Sequence, residues 1–158
     1  MKPHNPFASP LVGAFLLFSG MAVAHDPKAP LDSDQLQFLA QYVLVRDALA
    51  AEDLEGAKKA AAPVAANPVI HHEKTGDAPP GFVLDARKLL AATDLERARE
   101  IFKSWSQRAV NVSKGKAGYY VAHCPSAPAE GKWITTARTA GDNPYRGAKA
   151  PGCAALAD

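Results

Sequence analysis

Apolar residues recur at helical spacing in the first half of the chain. Asp32 or Ser33 can cap a helix predicted to run to about Ala50, because either side chain can accept a hydrogen bond from a free N–H of the first turn. A second helix is predicted from Asp53, and Pro63 is expected to kink or end it, since proline lacks the backbone N–H. One stripe of the first helix is expected to be buried. It comprises Leu36, Leu39, Val43 and Leu49.

Two further helices are predicted after a turn-rich segment. Residues 67–81 combine asparagine, glycine and proline, which is typical of a long loop. Helical spacing returns over residues 82–92 and again from Asp94 to about Val112. The apolar face of the last helix is expected to comprise Leu95, Ala98, Ile101, Phe102, Trp105 and Val110.

A short internal repeat suggests how these helices pair. Residues 50–58 and 91–99 both contain Asp-Leu-Glu, any residue, alanine and a basic residue. In each copy one helix ends, an aspartate caps and the next helix begins, which predicts two helical hairpins. Two hairpins bury their apolar stripes best as an antiparallel four-helix bundle, so the predicted fold class is all-α. The alternative is that this pattern is simply a common way to start a helix.

The last part of the chain has a different character. Residues 113–158 are rich in glycine and proline and show little helical periodicity. Tyr119 to Ala122 could form a short strand, and the rest is expected to be an irregular, cysteine-containing tail packed on the bundle. Trp133 and Tyr145 are expected to anchor this tail between helices. The dipeptide Asn143-Pro144 is typical of a turn.

The N-terminal residues 1–24 have the features of a cleavable signal peptide. An apolar stretch of suitable length ends at Ala22-Val23-Ala24, and cleavage is predicted after Ala24. The apolar stretch is too short to cross a bilayer, so no membrane span is expected after cleavage and the protein is expected to be periplasmic or secreted. An uncleaved anchor is the alternative. The mature chain would comprise a flexible lead-in, residues 25–31, and one helical domain, residues 32–158.

Charge and motif content argue against two classes of function. The formal net charge is +2 at pH 7, from 18 basic and 16 acidic residues, which argues against a nucleic-acid partner. The chain has no glycine-rich phosphate-binding motif and no recognisable nucleophile with its base. Its acidic residues lie in mixed-sign helical runs typical of solvated faces. We therefore expect a protein that is not an enzyme.

The helices and the tail carry motifs that resemble a known family. The helical motifs are Tyr42 followed by Arg46-Asp47-Ala48-Leu49, and Arg99-Glu100-x-Phe102-x-x-Trp105-Ser106. The tail motifs are Cys124-Pro125, Gly131-x-Trp133, Asn143-Pro144-Tyr145-x-Gly147 and Cys153. From about Tyr42 to Cys153 the chain resembles the DUF3347 family, a periplasmic domain of unknown function. That domain is found alone or at the C-terminal end of heavy-metal efflux adaptor proteins.

The resemblance implies a role in copper or silver handling, with an efflux adaptor or another envelope protein as partner. The family usually has one methionine after its Cys-Pro pair and a second shortly before its last cysteine. This chain has Ser126 and Ala150 there, so the thioether ligands that suit Cu(I) are missing.

Cys124 and Cys153 have two alternative roles. Outside the cytoplasm they are expected to form a disulfide that closes the tail, which lacks the apolar residues for a core of its own. Alternatively, both thiolates could bind Cu(I) together with His123, since thiolate and imidazole suit that ion.

Three further histidines are candidate metal ligands. If cleavage follows Ala24, His25 becomes the first residue, and its α-amine and imidazole can chelate one ion such as Cu(II). His71 and His72 lie next to each other in the predicted loop, where they could share an ion or simply be solvated. Two functional hypotheses result: a periplasmic copper- or silver-binding protein, or a disulfide-stabilised module that binds an envelope partner without metal.

Overall fold

The computed structural model describes residues 30–66, 81–127, 131–147 and 153–157. Within these ranges the chain forms four α-helices and three β-strands. The helices are α1 (Ser33–Ala50), α2 (Leu54–Ala65), α3 (Gly81–Leu90) and α4 (Leu95–Ser113). The strands are β1 (Tyr120–His123), β2 (Lys132–Thr135) and β3 (Ala155–Leu156).

Aspartates begin three of the four helices, as the sequence predicts. The Asp32 side chain accepts a hydrogen bond from the Gln35 N–H at 2.7 Å, and the Asp32 N–H donates to Gln35 Oε1 at 3.2 Å, which completes a capping box. In both copies of the repeat the aspartate, Asp53 or Asp94, caps the next helix through its side chain. Pro63 lies inside α2, which ends two residues later.

The four helices form a bundle in which neighbours pack as α1–α2–α3–α4, and α4 returns to α1. The short connections within each hairpin make its two helices antiparallel. Between the hairpins, Phe38 of α1 contacts Trp105 of α4, and Tyr42, one turn further along α1, stacks on Phe102, one turn earlier in α4. The helices α1 and α4 are therefore antiparallel as well. These four rings lie in the centre of the core.

The all-α prediction is wrong, because the tail contributes a three-stranded antiparallel sheet in the order β2-β1-β3. Val121 of β1 pairs with Ile134 of β2, and His123 pairs with both Lys132 and Ala155. The fold is therefore mixed α and β. The β2 strand lies against α4 and α1, so the sheet covers one side of the bundle.

The buried face of α1 also differs from the predicted stripe. Leu36 is 49% exposed, whereas the helix turns Tyr42 and Val45 into the core. Leu39 and Leu49 are buried as predicted, and Val43 is partly buried. The helix therefore has apolar residues on two sides, of which only one packs inside the protein.

Candidate functional site

A buried hydrogen-bond chain joins the helices to the outer edge of β2. The Ile134 N–H donates to Tyr42 Oη at 3.3 Å, and the Tyr42 and Ser106 hydroxyl oxygens are 2.5 Å apart. Ser106 donates to the Lys132 carbonyl at 2.7 Å, and the Tyr145 hydroxyl donates to the same carbonyl at 2.9 Å. Because the Ser106 proton is used on Lys132, the proton between the two hydroxyls comes from Tyr42.

These contacts cover an open strand edge. The Val121 carbonyl accepts from the Ala157 N–H at 2.8 Å, so the polar groups of Val121 face β3, and those of its partner Ile134 face away from β1. The side chains of α1 then satisfy both groups of Ile134. The Tyr42 hydroxyl accepts a hydrogen bond from the Ile134 N–H, and Arg46 donates one to the Ile134 carbonyl at 2.8 Å. An uncovered edge would be free to pair with another chain.

Burial of Tyr42 raises the pKa of its hydroxyl above the usual value of 10.0, because the ionised form would lose its hydration. The nearby Tyr145 adds to this rise, while the hydrogen bonds with Ser106 and Ile134 oppose it. Tyr42 is therefore neutral throughout the physiological range, and its hydroxyl has a structural role as a donor and an acceptor.

Arg99 connects the end of α1 to the tail. Its guanidinium donates to the Leu49 carbonyl and to the Pro144 carbonyl, each at 3.1 Å, and lies 3.6 Å from the Glu52 carboxylate. A side chain at Gly147 would meet both Arg99 and Glu52, and the positive φ of 55° there also favours glycine. Arg99 and Gly147, which belong to different sequence motifs, therefore lie next to each other in the structure.

Glu52 has an unusual backbone conformation at the same place. Its φ is 61°, and the Glu52 and Asp53 N–H groups donate back to the Leu49 and Ala48 carbonyls. This is a Schellman C-cap, in which glycine is the usual residue. The ion pair with Arg99 helps to hold a glutamate in this left-handed position.

Asn143 and Trp133 fix the tail from within. The Asn143 side chain accepts from the Tyr145 N–H at 2.9 Å, and its amide donates to the Cys153 carbonyl at 3.5 Å. Trp133 is fully buried and donates to the Ala140 carbonyl at 3.0 Å. The turn that includes Pro144 is therefore held by side-chain contacts, and Tyr145 packs against Phe102 of α4.

Cys124 and Cys153 form a disulfide, so the structural alternative for this pair is confirmed. The bond joins the end of β1 to the residue two positions before β3. The Ser126 hydroxyl lies 3.0 Å from the Cys153 sulfur and 3.3 Å from the Cys124 sulfur. In this oxidised form neither sulfur is a thiolate, and the proposed Cu(I) thiolate pair would require reduction.

Of the four candidate histidines, the described part of the chain includes His123 alone. His123 lies on β1, and its Nδ1 atom is buried with no hydrogen-bond partner among the described residues. The predictions for His25, His71 and His72 lie outside the described residues. In the ranges that the structure describes, no group of three or more histidine, cysteine, aspartate or glutamate residues could hold a metal ion.

One surface was missed by sequence reasoning: the outer face of α1, which we call the α1 outer stripe. Its members Leu36, Ala40 and Leu44 follow at intervals of four residues, and the two leucines are 49% and 53% exposed. Between α1 and α2 lies an open groove of about 380 Å³. It is lined by Gln41, Leu44, Gly56, Lys59 and Ala60. The second apolar periodicity of α1, opposite Tyr42 and Val45, is the signal that could have revealed it.

No helix in the described ranges is long and apolar enough to span a membrane. Comparisons of the chain with protein-family models, with curated proteins and with solved structures found no match. The resemblance to the DUF3347 family therefore rests on the motifs quoted above and stays a prediction.

Proposed function

We propose that this protein is an exported, disulfide-stabilised module that binds an envelope protein through the groove between α1 and α2. Export would follow signal-peptide cleavage after Ala24 and place the protein in the periplasm. The Cys124–Cys153 disulfide supports this, because such bonds persist in oxidising compartments outside the cytosol. The efflux adaptor implied by the motif resemblance is the first partner to consider.

The proposal rests on the exposure of Leu36 and Leu44 on the outer face of α1, of which Leu44 also lines the open groove. Single exposed leucines are common, but a continuous apolar stripe next to a groove is typical of a binding surface. Gly56 and Ala60 line the α2 side with small residues, so another helix could approach closely.

The charge of the groove favours an acidic partner. Lys59 lines it and is exposed, and among the described residues no carboxylate lies within ion-pair distance of its ammonium group. A cation beside an apolar surface complements a carboxylate that stands next to an apolar side chain. The partner segment is therefore an amphipathic helix with acidic residues beside its apolar face.

The motif residues support this choice by a different route. Tyr42, Arg46, Arg99 and Asn143 all have their polar groups engaged in contacts within the protein. They stabilise the fold, and none of them belongs to the α1 outer stripe. Function is thereby left to surface residues that the motifs do not contain.

Site-specific photocrosslinking in intact cells tests the proposal. A photoreactive phenylalanine replaces Leu44, and the same probe replaces Leu84 as a control, since Leu84 is 40% exposed on α3, outside the groove. We expect one crosslinked envelope protein from position 44 and none from position 84. Mass spectrometry of the product should identify an acidic amphipathic helix as the attached segment.

Charge reversal provides the second part of this test. Lys59→Glu should reduce the crosslink yield at position 44, because the partner's carboxylate would then face a like charge. Lys88→Glu changes another exposed lysine, on α3, and should leave the yield unchanged. Equal yields at positions 44 and 84, a crosslink within the same chain, or no effect of Lys59→Glu would contradict the proposal.

Copper binding is the second candidate function, and it rests on His25 becoming the first residue of the mature chain. The free α-amine and the imidazole would then chelate Cu(II) as a pair of nitrogen donors. His71, His72 and, after reduction, His123 with both cysteines are the other ligands proposed from the sequence. Copper titration of the mature protein, with and without one residue added before His25, tests the chelate. Equal binding by both forms would contradict it.

A further inference from the structure

The two sulfurs of the disulfide lie in different environments. Cys124 is fully buried, whereas Cys153 is partly exposed. Ser126 is exposed beside them, and its hydroxyl is within hydrogen-bond distance of both sulfurs, at 3.3 Å from Cys124 and 3.0 Å from Cys153. A disulfide sulfur has no proton, so the Ser126 hydroxyl is the donor in these contacts.

This asymmetry determines where thiol–disulfide exchange can start. An attacking thiolate must reach the sulfur atom itself, and the exchange rate depends on access and on the stability of the leaving thiolate. Only Cys153 offers exposed surface to an attacking group. We propose that Cys153 is a modification site at which a dithiol reductant opens the disulfide, and that Ser126 stabilises the departing Cys124 thiolate.

The exchange proceeds in two balanced steps. A thiolate of the dithiol forms a bond to Cys153 Sγ, the Cys124–Cys153 bond breaks, and its electron pair goes to Cys124, where the Ser126 hydroxyl donates to it. The second thiol of the reductant then attacks the reductant sulfur that is bonded to Cys153, and Cys153 is released. The protein disulfide gains two electrons, the dithiol is oxidised to a disulfide, and its two protons end on the two cysteines.

Opening the bond has a local structural consequence. The β3 strand contains only two residues and pairs with β1, and the Ala157 N–H donates to the Val121 carbonyl. Without the disulfide the covalent restraint is lost, and the segment keeps its short pairing with β1, the partly buried packing of Ala154 and Leu156, and the 3.5 Å hydrogen bond from Asn143 to the Cys153 carbonyl. Reduction should therefore release β3 and uncover one edge of β1, while the helical core stays folded.

A monothiol identifies the attacked sulfur. The oxidised protein is incubated with reduced glutathione, quenched with acid, and digested for mass spectrometry. We expect glutathione on Cys153 and a free thiol at Cys124 in the trapped mixed disulfide, because glutathione has no second thiol of its own to release Cys153 intramolecularly. Glutathione attached mainly to Cys124, or equally to both cysteines, would overturn the proposal.

Variants of Ser126 test the leaving-group role. The rate of reduction by dithiothreitol should fall about fivefold in Ser126→Ala, since one hydrogen bond to a developing thiolate is lost. Ser126→Thr keeps the hydroxyl and should restore most of the rate. Urea denaturation of the oxidised variants verifies that folding is unchanged at this exposed position. Equal rates for Ser126→Ala and the original protein would remove Ser126 from the mechanism.

Discussion

Replacing Tyr42 with phenylalanine removes one oxygen atom from the contact between α1, α4 and β2 and leaves the aromatic ring in place. The ring is fully buried and stacks on Phe102 with centroids 5.1 Å apart, so the substitution creates almost no cavity. The hydroxyl, however, makes two hydrogen bonds. It donates to Ser106 and accepts from the Ile134 N–H.

The expected loss follows from these two contacts. Each hydrogen bond between neutral groups contributes about 1 kcal/mol, and a buried N–H left without a partner adds its own desolvation cost. Ser106 keeps its bond to the Lys132 carbonyl, so only the Ile134 N–H becomes unpaired. We predict that Tyr42→Phe lowers the free energy of unfolding by about 2–3 kcal/mol, a large part of the stability of a small domain.

Urea denaturation of the oxidised protein measures this change. The midpoint should decrease while the dependence on urea concentration stays the same, since the surface exposed on unfolding does not change. Tyr120→Phe is the matched control, because the Tyr120 hydroxyl accepts only an exposed hydrogen bond from Arg138 and its loss should cost under about 0.5 kcal/mol. Equal losses for the two variants would refute the role given to the buried hydrogen-bond chain.

Three further predictions concern the ionisation of Tyr42, the contacts of Arg99 and the disulfide. Above pH 10.0, Tyr42 ionises in the unfolded chain but keeps its proton in the folded protein. The free energy of unfolding should therefore fall with pH more steeply in the original protein than in Tyr42→Phe, by up to about 1.4 kcal/mol per pH unit. Parallel pH curves for the two proteins would contradict the raised pKa of Tyr42. Arg99→Ala should lower the free energy of unfolding by about 2–3 kcal/mol in urea denaturation, because the Leu49 and Pro144 carbonyls lose their donor. Arg97→Ala, at an exposed neighbouring position, should change the free energy of unfolding little. Equal losses for the two variants would contradict the bridging role of Arg99. Replacing both Cys124 and Cys153 with serine should cost about 3–4 kcal/mol for residues separated by 29 positions, and a loss under about 1 kcal/mol would show that the tail does not need the bond.

The helices could be predicted because their signals are local. Asp32, Asp53 and Asp94 each cap a helix within three residues of their own position, and the apolar spacing of α4 is clear in its sequence. Leu36 was misassigned because α1 has apolar residues on two faces. Helical spacing alone does not tell which face enters the core.

The sheet could not be predicted because its contacts are distant in sequence. The strands are four, four and two residues long, and β1 was expected only as an isolated strand near Tyr120. The β3 strand pairs with β1 although β2 lies between them in the sequence, and the edge of β2 is completed by Tyr42 and Ser106, which belong to different helices. No window of local sequence contains that information.

The candidate site was hidden for a related reason. The sequence suggested cysteines, histidines and the motif residues as functional candidates. In the structure, the described motif residues make contacts that stabilise the fold. The groove forms only when α1 and α2 pack together and leave Leu44 beside Gly56 and Lys59. A search for a second apolar stripe on α1 would have identified half of this surface.

The central claim is that this groove binds an acidic amphipathic helix. The most direct measurement is the dissociation constant of the purified protein for the purified partner identified by crosslinking, determined by isothermal titration calorimetry. Leu44→Glu should weaken binding at least about tenfold, because it places a carboxylate in the apolar contact, whereas Leu84→Glu should leave the constant unchanged. Equal dissociation constants for the two variants would contradict the claim.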